Sequence, residues 1–407
     1  MILDSYFELT EDTRTGRDGE QGVSLACLHA AHRLTDSLFD LVTPEGLAMR
    51  PVPERHRLLF YLGHLEAFDW NLILRGHFES KSFQPEWDRL FAFGIDPAAG
   101  HLPDEPLSSW PEPERIRRYN RMVREDIAAV WGATPTHLKH IAIEHRLMHA
   151  ETLTYLLHNL DFQYKRSPVG EYRGKAHAAR VVPSFVPIAA GDAWLGAADE
   201  EGFGWDNEFD GHRVAVGSFE AARYKVTNAE YLRFVSQGGG TPSAFWTQRD
   251  GEWCWRGMFG LTPLQADAPV YLTLTQARAY ASWAGARLPT EAEWHRYSEG
   301  AAAVRFADAV SGVPLSVDAC PEADSVYGVA QPFGNGWEWT STRFAPFAGF
   351  RAYPEYPGYS ADFFDEQHYV LKGASPATPG KLLRASFRNW FRPDYRYVYA
   401  TCRLVRD

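Results

Sequence analysis

The run Glu144-His145-Arg146-Leu147-Met148-His149-Ala150-Glu151 decides how the first part of the chain is read. Two histidines four residues apart are one helical turn from each other, so both imidazoles project from one face. Leu138, Ile141, Ala142, Thr152, Leu153 and Leu156 extend that face, which turns the pair towards an interior. The pattern predicts a helix over residues 136–160. Three more segments, 23–42, 54–78 and 112–131, carry apolar residues at helical spacing. Pro111 and Pro135 stand near helix starts, where a missing N–H costs little. The expected architecture is an antiparallel four-helix bundle with one long connection, 79–110.

On the second helix His64 shares a stripe with Phe60, Ala67 and Phe68. Three histidines therefore face one interior from two helices. Either they are core residues hydrogen-bonded to neighbours, or they share a metal. Three neutral imidazoles leave coordination positions open, which suits Zn(II) Lewis-acid chemistry or Fe(II) oxygen chemistry, and spacing does not choose between them. His137, His140 and His158 fall off the stripe and are expected at the surface or at caps.

With 407 residues, two domains are the expectation. A formal charge of -11 argues against a nucleic-acid backbone or an anionic membrane as the main partner, though it does not exclude local basic pockets. The first residues are acidic and lack a signal-peptide pattern, and no apolar run reaches the length of a membrane span. Cys27, Cys254, Cys320 and Cys402 show no CxxC spacing and read as reduced thiols. The expectation is a soluble cytoplasmic protein.

After Leu160 the texture changes. Residues 163–182 are polar and basic, and the domain limits are set at 1–170, a linker 171–182, and 183–407. The last segment is rich in Gly, Trp, Tyr and Pro, with helices expected only at 228–237 and 275–284. The fold class is α+β.

Val226-Thr227-Asn228-Ala229-Glu230-Tyr231, Trp283-Ala284-Gly285-Ala286-Arg287-Leu288-Pro289-Thr290-Glu291-Ala292-Glu293-Trp294, Gly334-Asn335-Gly336-Trp337-Glu338-Trp339-Thr340 and Cys402-Arg403-Leu404-Val405 resemble the formylglycine-generating-enzyme fold, a C-type-lectin-like architecture. Most of these residues are expected to be scaffold. A DinB-like bundle with three histidines joined to such a domain resembles the ergothioneine sulfoxide synthase family. The resemblance implies Fe(II) on His64, His145 and His149, with O2 as co-substrate and bond formation at C2 of the hercynine imidazole. It also implies an active-site tyrosine in 349–360, Tyr353 first and Tyr356 second. In the stretch Arg388-Asn389-Trp390-Phe391-Arg392-Pro393, Asn389 and Trp390 are the implied hercynine contacts, since a quaternary ammonium takes aromatic faces rather than hydrogen bonds. Phe391 and Arg392 adjoin them.

The chain departs from that family's pattern in two places. Family members read His-Glu-x-x-His on the fourth helix; here Arg146 follows the first histidine, and Met148 stands where a glutamine often meets the imidazole. Members that use γ-glutamylcysteine carry an arginine motif in the loop after the second helix, an aspartate after the Asn-Trp pair and an arginine beyond. Here no arginine lies between Arg89 and Arg115, and Phe391 and Tyr395 take the other two places. The short loop with Asp96, Asp104, Ser108 and Ser109 most resembles the selenoneine synthase branch, whose donor is a neutral selenosugar, so a selenium donor is expected ahead of cysteine or γ-glutamylcysteine. Arg351, Arg388 and Arg392 are the cations that can overturn that expectation. The rival readings are a zinc-dependent DinB-type thiol transferase and a non-catalytic binding module. Formylglycine generation needs a pair of reactive cysteines near the C-terminus, where Cys402 stands alone.

Overall fold

A computed structural model describes residues 23–92, 106–167, 180–198, 202–304, 306 and 312–407. The chain divides into two compact units, Met1–Gly170 with Pro379–Leu382, and Glu171–Thr378 with Leu383–Asp407.

The first unit is helical: α1 (Leu25–Asp40), α2 (Leu58–Asp69), α3 (Pro85–Leu90), α4 (Pro113–Val130) and α5 (Thr136–Asn159). Helix α1 packs on α5 and α2 on α4, while α2 also meets α5, which makes the four long helices a bundle. Ser24 caps α1 by accepting the Cys27 N–H, and prolines open α3 and α4. Leu34, Phe60, Val123, Ile141 and Leu156 fill the interior. The second helix is shorter than its apolar pattern suggests. After Asp69 it widens into a π-helix, Trp70–Arg75, which shifts the faces of the residues that follow.

Helix α5 is buried on almost every side, and so His158 is inside rather than at the surface, 1% exposed. Arg146 is also fully enclosed. Its guanidinium donates to Glu66 at 3.1 Å and to Asp69 at 2.8 Å, both on α2. Arg124 of α4 donates to the same Glu66 at 2.6 Å and grips Asp36 of α1 with two bonds of 2.7 Å. The ionic chain Asp36–Arg124–Glu66–Arg146–Asp69 thus crosses all four long helices. Burial pushes the Asp69 carboxyl up to about 6, against the pull of Arg146.

The second unit opens with β1 (Phe185–Ile188), β2 (Gly191–Leu195), β3 (His212–Val216) and β4 (Phe219–Ala222). After α6 (Asn228–Ser236) come β5 (Trp246–Arg249), β6 (Glu252–Arg256) and β7 (Leu261–Pro263). Helices α7 (Leu274–Trp283) and α8 (Glu291–Tyr297) precede β8 (Trp337–Arg343), β9 (Tyr369–Lys372), β10 (Asn389–Phe391), β11 (Ala400–Thr401) and β12 (Val405–Arg406). The sheets are ordered β1-β4-β12, β10-β9-β8-β11, β2-β3 and β5-β6-β7. With helices and sheets together, the α+β expectation holds. Helix α8 was not expected, although Thr290 and Glu293 form the same capping box as Thr227 with Glu230 and Thr273 with Gln276. It packs on β2, β3, β8 and β9, and Trp294 and Tyr297 join Ile188, Phe219 and Val405 in the core.

The sequence motifs build this scaffold. Glu338 is buried and receives Lys225 at 2.7 Å, Arg403 at 2.7 Å and the Tyr297 hydroxyl at 2.5 Å. Gly334, Asn335 and Gly336 take φ values of 98°, 59° and 120°, a left-handed turn that needs glycine or asparagine. The Asn335 amide clips the Leu315 backbone in both directions, at 2.9 and 3.0 Å. Among the described residues no helix is long and apolar enough to cross a membrane.

Candidate metal centre

Helix α2 supplies His64, and α5 supplies His145 and His149. One ligand atom from each lies within 4.8 Å of the others, and all three residues are buried. His64 Nε2 and His149 Nε2 are 3.2 Å apart. On its other side His64 Nδ1 sits 2.7 Å from the Phe91 carbonyl, which accepts the ring proton. That bond fixes the tautomer, so the Nε2 lone pair faces the other histidines. Phe60 stacks on His64 with centroids 4.8 Å apart, and Phe68 lies flat on His145 at 3.4 Å. Burial holds His64 at about 4 and lowers His145 and His149 well below the ordinary imidazole value. All three rings are therefore neutral near pH 7, the form that binds metal.

The donor set fits a divalent transition metal. Three neutral nitrogens converge, one ring is locked by a carbonyl, and His149 Nδ1 has no hydrogen-bond partner among the described residues. The Phe91 carbonyl went unforeseen because a backbone oxygen has no sequence signature. Met148 lies half-buried on α5 between His145 and His149 in sequence.

The remaining candidates belong to the second unit. The Tyr353 hydroxyl donates to the Gly204 carbonyl. Trp205 stacks on Tyr359 at 4.1 Å, Tyr356 lies 5.5 Å from Tyr359, and Tyr359 meets Trp390 edge-on at 5.4 Å. Tyr356 and Trp390 thus belong to one aromatic cluster. One face of Trp390 is taken by Phe344, 4.2 Å away and 8° from parallel. Asn389 Oδ1 accepts the Trp390 N–H at 2.9 Å.

Phe391 and Tyr395 stack on each other, 4.9 Å apart and 5° from parallel. Of the three arginines expected as rival cations, Arg388 is buried and bound to Glu291 at 3.0 and 3.2 Å. Arg392 lies 4.0 Å from Asp365, and Arg351 is exposed. Ser108 and Ser109 form an exposed turn with Leu107, while Asp96 and Asp104 lie outside the described residues.

Comparison with known proteins places the chain in a family. Residues 172–407 match the sulfatase-modifying factor enzyme 1-like domain family. Hercynine oxygenase of Mycolicibacterium thermoresistibile is 31% identical over 86% of this chain and 87% of its own length. Ergothioneine biosynthesis protein 1 of Neurospora crassa is 24% identical over 90% of this chain, and that of Schizosaccharomyces pombe is 29% identical over 90%. The chain spans 56% and 54% of the length of those two fungal relatives. On the match along nearly the whole bacterial relative, this chain belongs to the hercynine oxygenase, or ergothioneine sulfoxide synthase, family.

Proposed function

We propose that this chain is an O2-dependent non-haem iron enzyme that joins a chalcogen donor to C2 of the hercynine imidazole, with His64, His145 and His149 holding the metal. The observation that carries the reading is the set of three buried neutral imidazoles converging within 4.8 Å in a chain of this family. Bound Fe(II) supplies the redox chemistry that reduces dioxygen. With a thiol donor the balance is simple: the C2 and sulfur hydrogens leave in one water, and the second oxygen atom ends in a sulfoxide.

The chain's own groups have distinct tasks in this reading. Tyr353 is the proton donor, and its hydroxyl has to leave the Gly204 carbonyl to act. Tyr356 is the second choice. Trp390 and the aromatic rings beside it recognise the trimethylammonium group through their π-faces, and Asn389 offers its amide to a polar end of hercynine.

The names of the relatives favour sulfur as the donor atom, and C–S bond formation is the leading reading. A selenosugar donor is kept as the second reading because of one observation. Where γ-glutamylcysteine users are expected to carry an aspartate and an arginine, Phe391 and Tyr395 form an apolar stack, and the nearby Arg388 is committed to Glu291. The test is an aerobic assay with hercynine and competing cysteine, γ-glutamylcysteine and selenosugar, read by mass spectrometry. Absence of any hercynine adduct under air, with iron bound, refutes the proposal.

A further inference from the structure

The short helix α3 bears on the metal through one atom, the Phe91 carbonyl. Phe91 follows the last residue of α3, where a carbonyl has no intrahelical donor and needs an outside one. The His64 ring N–H is that donor, at 2.7 Å.

Contacts from α2, α4 and the π-helix fix this carbonyl in space. The Phe91 ring lies directly on α2 at Gly63, the residue before His64. A Cβ at Gly63 would meet the ring at 2.5 Å, closer than carbon atoms approach, so only glycine admits it. Asp88, one turn before Phe91 and 2% exposed, accepts the Tyr119 hydroxyl of α4 at 2.9 Å and is also bonded by Ser82. Its backbone carbonyl takes the Asn71 amide at 3.0 Å, from the π-helix that continues α2. Trp87, Trp110 and Tyr119 surround the Phe91 ring with centroids 5.9–6.4 Å away.

We infer that the turn Asp88–Phe91 is the positioning element of the metal centre, and that Gly63, Asp88 and Tyr119 act on the metal only through the Phe91 carbonyl and His64. The inference rests on the metal reading above. A carbonyl that holds the far nitrogen of a ligating imidazole sets its tautomer and its angle, and losing such a partner typically weakens metal binding about 10- to 100-fold. Asp88 binds no metal itself in this scheme; its carboxylate is spent on Tyr119 and Ser82.

The test titrates Co(II) into the full chain without oxygen, follows the visible d–d bands, and records the exchangeable His64 ring N–H as a hyperfine-shifted proton resonance. Gly63→Ala is expected to weaken Co(II) binding about 10- to 100-fold and to expose that proton to solvent. The double variant Gly63→Ala/Phe91→Leu relieves the clash while keeping the backbone carbonyl, and is expected to recover most of the affinity and the resonance. Wild-type affinity and resonance in Gly63→Ala overturn the inference, as does a double variant that folds yet recovers nothing. Should Gly63→Ala fail to fold, Tyr119→Phe decides, because it removes one hydroxyl and almost no volume. Severalfold weaker Co(II) in it supports the inference, and unchanged binding overturns it. A wild-type chain that takes up no Co(II) removes the metal reading itself, a result distinct from either.

Discussion

His64 and His149 aim their Nε2 atoms at each other across 3.2 Å. With the His64 proton committed to the Phe91 carbonyl, this contact is a hydrogen bond only when His149 carries its proton at Nε2. Moving that proton to Nδ1 leaves two lone pairs face to face, an arrangement stable only with a cation between them. That second tautomer is the one two ligands of a shared metal would take under the proposed function, and His145 lies one turn of α5 before His149.

His149→Ala is accordingly expected to abolish iron binding and turnover while the bundle stays folded. His64→Ala and His145→Ala are expected to behave alike. Iron content by plasma emission, hercynine turnover and far-UV circular dichroism check this together. Full turnover in the His149 variant sinks the three-histidine centre, and a purified protein that holds only zinc and consumes no oxygen points to the thiol-transferase reading instead.

Arg146→Ala removes the middle of the ionic chain that crosses the four long helices. Asp69 loses its cation, while Glu66 keeps Arg124 at 2.6 Å. Breaking a buried pair from one side costs about 3–5 kcal/mol. Urea unfolding of the variant should show a loss of that order in the helical unit, and a loss below about 1 kcal/mol would show that water or rearrangement already screens the pair.

How far the sequence carried these conclusions depends on where each signal resides. The i,i+4 pair His145/His149 and the stripe through His64 were legible because helical periodicity fixes direction. Arg146 looked like a departure, since its partners Glu66 and Asp69 lie about eighty residues away and no local pattern pairs them. His158 was misplaced because α5 is enclosed on nearly all sides, which a one-face stripe does not reveal. Helix α8 was missed although its Thr290/Glu293 capping box was in plain view, hidden by a motif read as loop scaffold. Arg388 reads in the sequence as a cation able to clamp a charged donor; in space it is paired with Glu291.

Glu338 gives the C-terminal unit a defined acid limit. Burial alone would raise its carboxyl, but Arg403 and Lys225 outweigh that and hold it at about 2, below its ordinary 4.5. A lowered folded-state value means stability that is present above about pH 4.5 and lost as the pH falls towards 2. The shift corresponds to about 3 kcal/mol, of which about 2 kcal/mol is gone by pH 3. The difference in unfolding free energy between wild type and Glu338→Gln should shrink by that amount from pH 6 to pH 3. A difference that stays flat over this range refutes the assignment.

Hercynine should bind much better than histidine if the aromatic cluster around Trp390 receives the trimethylammonium group. One cation–π contact contributes about 0.5–2 kcal/mol. Trp390→Ala should therefore weaken hercynine about 2- to 30-fold and leave the weak binding of histidine unchanged. Calorimetry on the iron-loaded protein measures both, and equal affinities for the two ligands in the wild type would remove Trp390 from the site.

The second reading of the donor rests on what Phe391 and Tyr395 do together. Their rings are 5° from parallel, so the pair is one packed unit in which neither side chain presents charge. A carboxylate buried without a cation costs several kcal/mol; Arg388 is held by Glu291 and Arg392, more loosely, by Asp365, while Arg396 lies exposed beside Tyr395, over the Tyr397 ring. A neutral donor escapes that cost. If the second reading holds, a selenosugar outcompetes γ-glutamylcysteine at equal concentration by about a hundredfold in catalytic efficiency, which corresponds to about 2.7 kcal/mol; the leading sulfur reading requires a thiol adduct to dominate instead. The double variant Phe391→Asp/Tyr395→Arg should narrow that gap, because it puts an acid and a cation where the stack stood, whereas either single change buries an unpaired charge and should lower turnover with every donor. Competition read by mass spectrometry separates the outcomes. If the γ-glutamylcysteine adduct dominates in the wild type, the stack is only packing and the chain is an ordinary sulfur-transferring member of its family.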